Sequence, residues 1–149
     1  IGVSNFYPDR LVDLCSFVEV KPAINQVETH IFQQQTVAHE YMEKYGVQHE
    51  SWGPFAEGRK DFFTNPVLNE IGKKHDKSAA QVALRFLLQS DVVVIPKSTH
   101  KERMEENINV FDFTLDASDM NAIQALDEKE SLFFSHYDPA IAEMMIKLH

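Results

Sequence analysis

Hydrophobic residues along the chain fall into two alternating kinds of segment. Four short apolar runs, bounded by polar or turn-forming residues, have the length and composition of buried strands. These predicted strands cover residues 1–4, 23–28, 47–52 and 92–95. Between them, apolar residues recur every three or four positions, which is the spacing of an amphipathic helix. The clearest such set is Leu11, Leu14, Cys15 and Val18.

Residues that stabilise helix ends divide the rest of the chain. Gly46 follows residues 33–45, in which Val37, Tyr41 and Tyr45 repeat every four positions, and glycine commonly follows a helix end. Helix starts are predicted at Asn65-Pro66, Ser78 with Gln81, Thr99 with Glu102, and Asp116. The inward sides are predicted to be Val82, Ala83, Phe86 and Leu87, and later Met120, Ile123 and Leu126. This alternation predicts one α/β unit with parallel strands joined by crossover helices.

Composition and length narrow the class of protein. The 149 residues suffice for one domain, and 44% hydrophobic with 25% charged residues is ordinary for a soluble globular protein. No apolar run reaches the roughly 20 residues that span a bilayer, and no secretion signal begins the chain. Cys15 is the single cysteine, so an internal disulfide is excluded. We therefore expect a cytoplasmic protein that makes no membrane contact.

The chain start and the net charge add two expectations. The sequence begins with Ile1 rather than Met, inside a predicted strand, so we expect an excised part of a longer polypeptide. A formal net charge of −9 opposes binding to nucleic acids, whose phosphates require a basic surface. Any phosphate ligand must therefore be held by a local basic cluster.

Polar residues at the carboxyl ends of the predicted strands are the first candidates for a site, because ligands of parallel α/β proteins bind there. Ser4 and Asn5 follow the first strand, Gln26 lies on the second, and Trp52 ends the third. Each also has a purely structural interpretation. Ser4 and Asn5 could cap the next helix, Gln26 could be a buried amide with satisfied hydrogen bonds, and Trp52 could belong to the core.

A basic cluster follows the fourth strand in an otherwise acidic protein. Its members are Lys97, Ser98, Thr99, His100, Lys101 and Arg103. Cations at a helix N-terminus oppose the helix dipole, whereas backbone N–H groups and basic side chains together bind anions. A solvated basic face remains the alternative, but the pattern favours a phosphate site.

Common catalytic signatures are missing from the sequence. It contains neither a G-x-G-x-x-G nor a Walker motif, and His39-Glu40 and His49-Glu50 lack the second histidine of a zinc motif. The seven histidines have no zinc-like spacing, and no carboxylate pair stands out as acid and base. The residues alone therefore predict binding rather than a catalytic centre.

Four motifs in this order resemble the aldo-keto reductases, in particular the bacterial diketogluconate and aldehyde reductase branch. They are Ile1-Gly2-Val3-Ser4-Asn5-Phe6, Asn25-Gln26-Val27-Glu28, Ser51-Trp52-Gly53-Pro54 and Ile95-Pro96-Lys97-Ser98. Arg103, Glu106-Asn107, Ser131-Leu132-Phe133-Phe134 and Asp138-Pro139 extend the likeness over nearly the whole chain. The resemblance implies a (β/α)8 TIM barrel of which residues 1–149 supply the C-terminal half, strands five to eight.

The resemblance also implies an NADPH site at the mouth of the barrel. Ser4, Asn5 and Gln26 match the positions that contact the carboxamide, and Trp52 matches the aromatic residue that stacks on the nicotinamide. The positions that hold the 2′-phosphate are matched by Lys97, Ser98, Thr99 and Arg103. Glu106 and Asn107 match the adenine contacts. These assignments agree with the chemistry, since amides bind amides and a basic helix start binds phosphate.

In one respect the chain departs from the family. The catalytic Asp, Tyr, Lys and His of aldo-keto reductases lie on the first four strands, so we assign this chain no catalytic residue and no metal. Trp52 also replaces a Tyr of other branches, which puts the substrate preference in doubt. We expect an NADPH-dependent aldehyde or ketone reductase as the intact protein, with the isolated chain inactive.

Two other hypotheses stay open at the sequence level. One is an NADPH-binding sensor or scaffold without significant turnover. The other is a purely structural half-barrel that associates with itself through its unpaired edge strands.

Overall fold

Four parallel strands separated by helices form the fold of this chain. The computed structural model describes residues 1–147. The strands, β1 (Gly2–Ser4), β2 (Ile24–Glu28), β3 (Gln48–Trp52) and β4 (Val93–Val94), pair in the order β1-β2-β3-β4. The helices are α1 (Pro8–Phe17), α2 (Thr36–Tyr45), α3 (Pro66–His75), α4 (Ala79–Gln89), α5 (Lys101–Ile108), α6 (Ala117–Gln124) and α7 (Pro139–Ile146). The predicted α/β architecture with parallel strands is confirmed.

The two faces of the sheet differ in their cover. On one face Val27 is buried with Leu11 of α1 and Met42 of α2 in an apolar cluster. The opposite face carries a row in which Gln26 of β2 lies beside Ser4 of β1 and Glu50 of β3. These three polar side chains are exposed or half-buried. The helices therefore cover the apolar face, and the polar face is open to ligands.

A larger apolar cluster is formed mainly by the chain segment that follows β3 and precedes β4. This segment makes two short helical turns and then α3 and α4. Phe62, Leu68, Val82 and Ile123 are fully buried in it. Met120 and Leu126 pack against the same cluster, so the inward face predicted for α6 is confirmed. The residues predicted to lie on the inner side of α4 are buried as well.

Local capping signals are reproduced at four helix ends. The Asn65 side chain accepts hydrogen bonds from the backbone N–H groups of the first turn of α3. Ser78 and Gln81 form the predicted capping box of α4, and Asp116 forms another with Asp119 at the start of α6. Gly46 ends α2 with a φ of 71°, a conformation that glycine adopts without strain.

The helix predicted from residue 33 to residue 45 starts later than expected. The helix begins at Thr36 because the chain first turns at residues 30–33 and Gln35 adopts a φ of 58°. Ala38 and Met42 are the buried residues, whereas Val37 is 59% exposed. Tyr45, the last residue of the predicted four-residue repeat, packs against the same apolar cluster as Ala38 and Met42.

Two predictions around the fourth strand also fail. β4 has two paired residues rather than four, because Pro96 has no N–H and Val92 instead continues the turn that ends α4. Thr99 does not cap α5: His100 occupies the N-cap position, and no side chain caps this helix. The Ser98 hydroxyl accepts from the His100 N–H at 3.1 Å, which delays the helix by one residue.

The segment after α6 folds back over the carboxyl end of β2. The Gln34 N–H donates to Asp127 Oδ1 at 3.1 Å, and the Glu128 N–H donates to the Phe32 carbonyl at 2.9 Å. Asp138 then caps α7, a helix that the sequence analysis did not predict. Within residues 1–147 no helix has the length and apolar character that crossing a membrane requires.

Candidate cofactor site

Asn5, Gln26 and Trp52 lie together at the carboxyl ends of the first three strands. The Trp52 indole N–H donates to Asn5 Oδ1 at 2.8 Å, and Gln26 Nε2 donates to Glu50 Oε1 at 2.6 Å. Asn5 adopts a φ of 57°, a left-handed conformation that asparagine tolerates. Its backbone N–H donates to the Gln26 carbonyl at 2.9 Å. The bend after β1 thus fixes the side chain beside Trp52.

These hydrogen bonds leave complementary groups available on the two amides. Because Asn5 Oδ1 already accepts from Trp52, the Asn5 Nδ2 group remains a donor. Because Gln26 Nε2 donates to Glu50, the Gln26 Oε1 atom remains an acceptor. A donor and an acceptor on neighbouring strands match the carbonyl oxygen and the NH₂ group of a primary carboxamide.

Ser4 and Asn5 do not have the structural role considered as their alternative. The N-cap position of α1 is occupied by Tyr7, and no side chain caps that helix. The Ser4 hydroxyl donates instead to the Gln26 carbonyl at 3.1 Å. Gln26 and Trp52 are half-buried rather than part of the core.

The aromatic ring of Phe133 packs against Trp52, next to Asn5. The Phe133 ring lies 5.1 Å from the Trp52 ring, at an angle of 58°. The Arg59 guanidinium lies over Phe133, 4.3 Å from its centroid, and donates to the Leu132 carbonyl. The indole thus has a fixed edge contact with Asn5 and a fixed face contact with the C-terminal segment.

A second group of predicted residues lines a pocket of about 430 Å³ at the start of α5. The predicted members that line it are Lys97, Ser98, Thr99, Arg103, Glu106 and Asn107. Within residues 1–147 neither Lys97 nor Arg103 forms a salt bridge, so neither charge is neutralised by a carboxylate. The first turn of α5 has no side-chain cap, which leaves its N–H groups for another acceptor. Two cations and an uncapped helix start fit a phosphate.

The opposite wall of this pocket is aromatic and polar. Phe55 and Phe63, whose rings are 5.7 Å apart, line it together with Ser78 of the α4 cap. The Ser78 hydroxyl donates to Glu106 Oε1, which fixes that carboxylate beside the pocket. Aromatic rings and a fixed hydrogen-bond acceptor suit a purine base.

All ten predicted residues therefore fall into two groups that follow the carboxyl ends of the strands. Thr99 is among them, although it does not cap α5 as predicted. The sequence analysis missed Glu50, Phe133, Phe55 and Phe63. Glu50 had a usable signal, since it precedes Trp52 by two residues on the same strand and so shares its face. Phe133 had none, because its partner Trp52 lies far away in sequence.

Known proteins with similar sequences and structures identify the family of this chain. Residues 1–128 match the Aldo/keto reductase family. The chain belongs to the aldo-keto reductases. Glyoxal reductase of Bacillus subtilis is 45% identical over 130 residues, which are 87% of this chain and 46% of that protein.

Solved structures of aldo-keto reductases superpose closely on the chain. An enzyme from a Medee basin deep-sea metagenome, MGS-M4, has a TM-score of 0.89 at 40% identity, covering 93% of this chain and 51% of that one. A Gox0644 mutant in complex with NADPH has a TM-score of 0.84 at 39% identity, covering 91% and 49%. This aldo-keto reductase chain spans about half the length of the relatives that it matches.

Proposed function

We propose that this chain is the cofactor-binding C-terminal half, strands five to eight, of an NADPH-dependent aldehyde or ketone reductase. One observation carries the proposal: an amide donor and an amide acceptor, and a basic pocket, follow strands whose carboxyl ends meet at one end of the sheet. These two groups have the chemistry of the two ends of NADPH. A relative with a similar chain contains that cofactor.

Each predicted residue then has a role defined by its available atoms. Asn5 Nδ2, Gln26 Oε1 and the Ser4 oxygen contact the carboxamide, and the Trp52 ring supports the nicotinamide plane. When bound, NADPH supplies the hydride. Lys97, Ser98, Thr99 and Arg103 hold the 2′-phosphate, and Glu106 with Asn107 contacts the adenine.

The sheet also supports assignment as half of a barrel. β1 and β4 are edge strands, and Val93 and Ile95 are 39% and 53% exposed. The row of Ser4, Gln26 and Glu50 lies on the face of the sheet opposite to α1 and α2. Four further strands would cover this face and close both edges. In this proposal, the acid that protonates the carbonyl oxygen comes from those strands.

Cofactor selectivity tests the proposal. A charge-assisted hydrogen bond is worth about 1.5–3 kcal/mol, and solvent screening lowers that value for exposed Arg103 and Lys97. We expect NADPH to bind at least about tenfold more tightly than NADH, a ratio that needs about 1.4 kcal/mol. Arg103→Ala should reduce the ratio, measured by isothermal titration calorimetry at low salt.

Lys101→Ala is the matched control. Lys101 lies on the same helix and carries the same charge, but its side chain is 80% exposed and pairs with Glu105 at 3.5 Å outside the pocket. Its replacement should leave the NADPH to NADH ratio unchanged. Equal affinity of the unaltered chain for both nucleotides would refute the phosphate assignment.

A further inference from the structure

Glu28 is a buried carboxylate at the carboxyl end of β2 that the cofactor assignments do not use. The residue is only 4% exposed. Its Oε1 atom accepts from the Leu132 N–H at 2.9 Å and lies 3.0 Å from His30 Nε2. Its other oxygen, Oε2, accepts from the Ser131 hydroxyl. Both oxygens therefore have partners, and two of the donors belong to the C-terminal segment.

Ser131 transmits this anchoring to the aromatic residues that follow it. While its hydroxyl hydrogen bonds to Glu28, its Oγ atom accepts from the N–H groups of Phe133 at 3.1 Å and Phe134 at 3.0 Å. Two such bonds fix the turn of residues 131–134. That turn places the Phe133 ring 5.1 Å from the Trp52 ring. An unbroken chain of hydrogen bonds thus runs from Glu28 to the ring that covers Trp52.

We propose that Glu28 is a positioning residue: through Ser131 it holds Phe133 against Trp52 and so sets the wall of the site beside the nicotinamide. Its role towards the cofactor rests on the proposed function. The hydrogen-bonded anchor itself is independent of that function and can be tested without nucleotide.

The anchor requires the ionised form of Glu28. Burial raises the pKa of this carboxyl, but the bonds from His30, Ser131 and the Leu132 backbone outweigh burial and hold the pKa below its usual value. Glu28 therefore stays ionised to a lower pH than an exposed glutamate does. Arg59 and Lys60 hold the same segment from its other side, through the Leu132 carbonyl and Glu128.

Acrylamide quenching of Trp52 measures the anchor directly, because Trp52 is the single tryptophan of the chain. Glu28→Gln keeps the shape of the side chain but removes the charge that strengthens its bonds. We expect the ratio of detached to attached segment to rise about tenfold, since bonds to a charged group are the stronger ones. Quenching of Trp52 should rise accordingly.

Further variants separate positioning from general destabilisation. Ser131→Ala should reproduce the increased quenching and decides the question if Glu28→Gln does not fold, as judged by far-UV circular dichroism. Ser131→Thr keeps the hydroxyl and should restore shielding, and Glu43→Gln, at an exposed position of α2, should have no effect. In a Phe133→Ala background Glu28→Gln should add little, because Glu28 acts through that ring.

Two results would separate the anchor from the proposed function. Unchanged quenching in folded Glu28→Gln and Ser131→Ala would overturn the anchor, whatever the chain binds. Increased quenching in both variants supports the anchor even if NADPH fails to bind the unaltered chain, and that failure would count against the proposed function alone.

Discussion

His49 should make the stability of the chain depend on pH. It lies on the helix-facing side of β3 and is 1% exposed, with Nε2 2.7 Å from Thr29 Oγ1 and Nδ1 3.0 Å from His39 Nδ1. Burial, together with the charge of His39, lowers the pKa of His49 from 6.5 to about 3. The folded chain therefore keeps this imidazole neutral where the unfolded chain protonates it.

The difference between the folded and the unfolded pKa of His49 determines how the free energy of unfolding changes with pH. Because the folded pKa is depressed, the stability is fully present above the unfolded pKa and is lost as the pH falls below it towards the folded pKa. From pH 7 to pH 5 only the unfolded state takes up the proton, and the slope approaches about 1.4 kcal/mol per pH unit below pH 6.5. His49 should therefore lower the free energy of unfolding by about 2 kcal/mol over that interval.

His49→Gln removes the titrating group and keeps an amide within reach of Thr29. Urea unfolding followed by circular dichroism, at one protein concentration and several pH values, gives both free energies. The free energy of unfolding of the original chain minus that of the variant should fall by about 2 kcal/mol between pH 7 and pH 5. His100→Gln, at an exposed site, should show no such change. A difference that stays constant, or that grows in acid, would refute the burial argument.

Two further predictions concern the chain as a proposed half-barrel. The purified 149-residue chain should not oxidise NADPH with methylglyoxal above the buffer rate, whereas fusing the first half of Bacillus subtilis glyoxal reductase before Ile1 should restore turnover. Turnover by the chain alone, after contaminating reductases are excluded, would show that it has catalytic residues of its own. The chain should also self-associate through the edges of β1 and β4. A stable monomer at micromolar concentration in sedimentation equilibrium would show that these edges need no partner.

Local signals in the sequence were sufficient where a helix end depends on its own neighbours. The caps at Asn65, Ser78 and Asp116 each involve backbone groups two or three residues away, so a short motif contains all the information. The same reasoning failed at Thr99, because the Ser98 hydroxyl binds the His100 N–H and His100 rather than Thr99 takes the N-cap position of α5. Adjacent residues of similar chemistry make a capping motif ambiguous.

The buried side of α2 and the position of Phe133 beside Trp52 could not be predicted, because they depend on contacts between residues that are distant in sequence. Met42 rather than Tyr41 faces the sheet, because strand packing decides which of two four-residue repeats is inside. Phe133 meets Trp52 where Glu28 and Arg59 both bind the backbone of Leu132, far from either residue in sequence. Strand-end residues were predictable because parallel strands bring their carboxyl ends to one edge.

Fluorescence of Trp52 during titration with NADPH tests the central proposal most directly. Its emission reports whether the nicotinamide binds beside Trp52, and the affinity reports whether the pocket at α5 binds the 2′-phosphate. We expect saturable quenching by NADPH, about tenfold weaker binding of NADH, and NADH-like binding of NADPH to Arg103→Ala. Unchanged Trp52 emission when calorimetry shows NADPH bound would contradict the placement of the nicotinamide. Absence of NADPH binding to the folded chain would contradict the assignment of both groups of residues as one cofactor site.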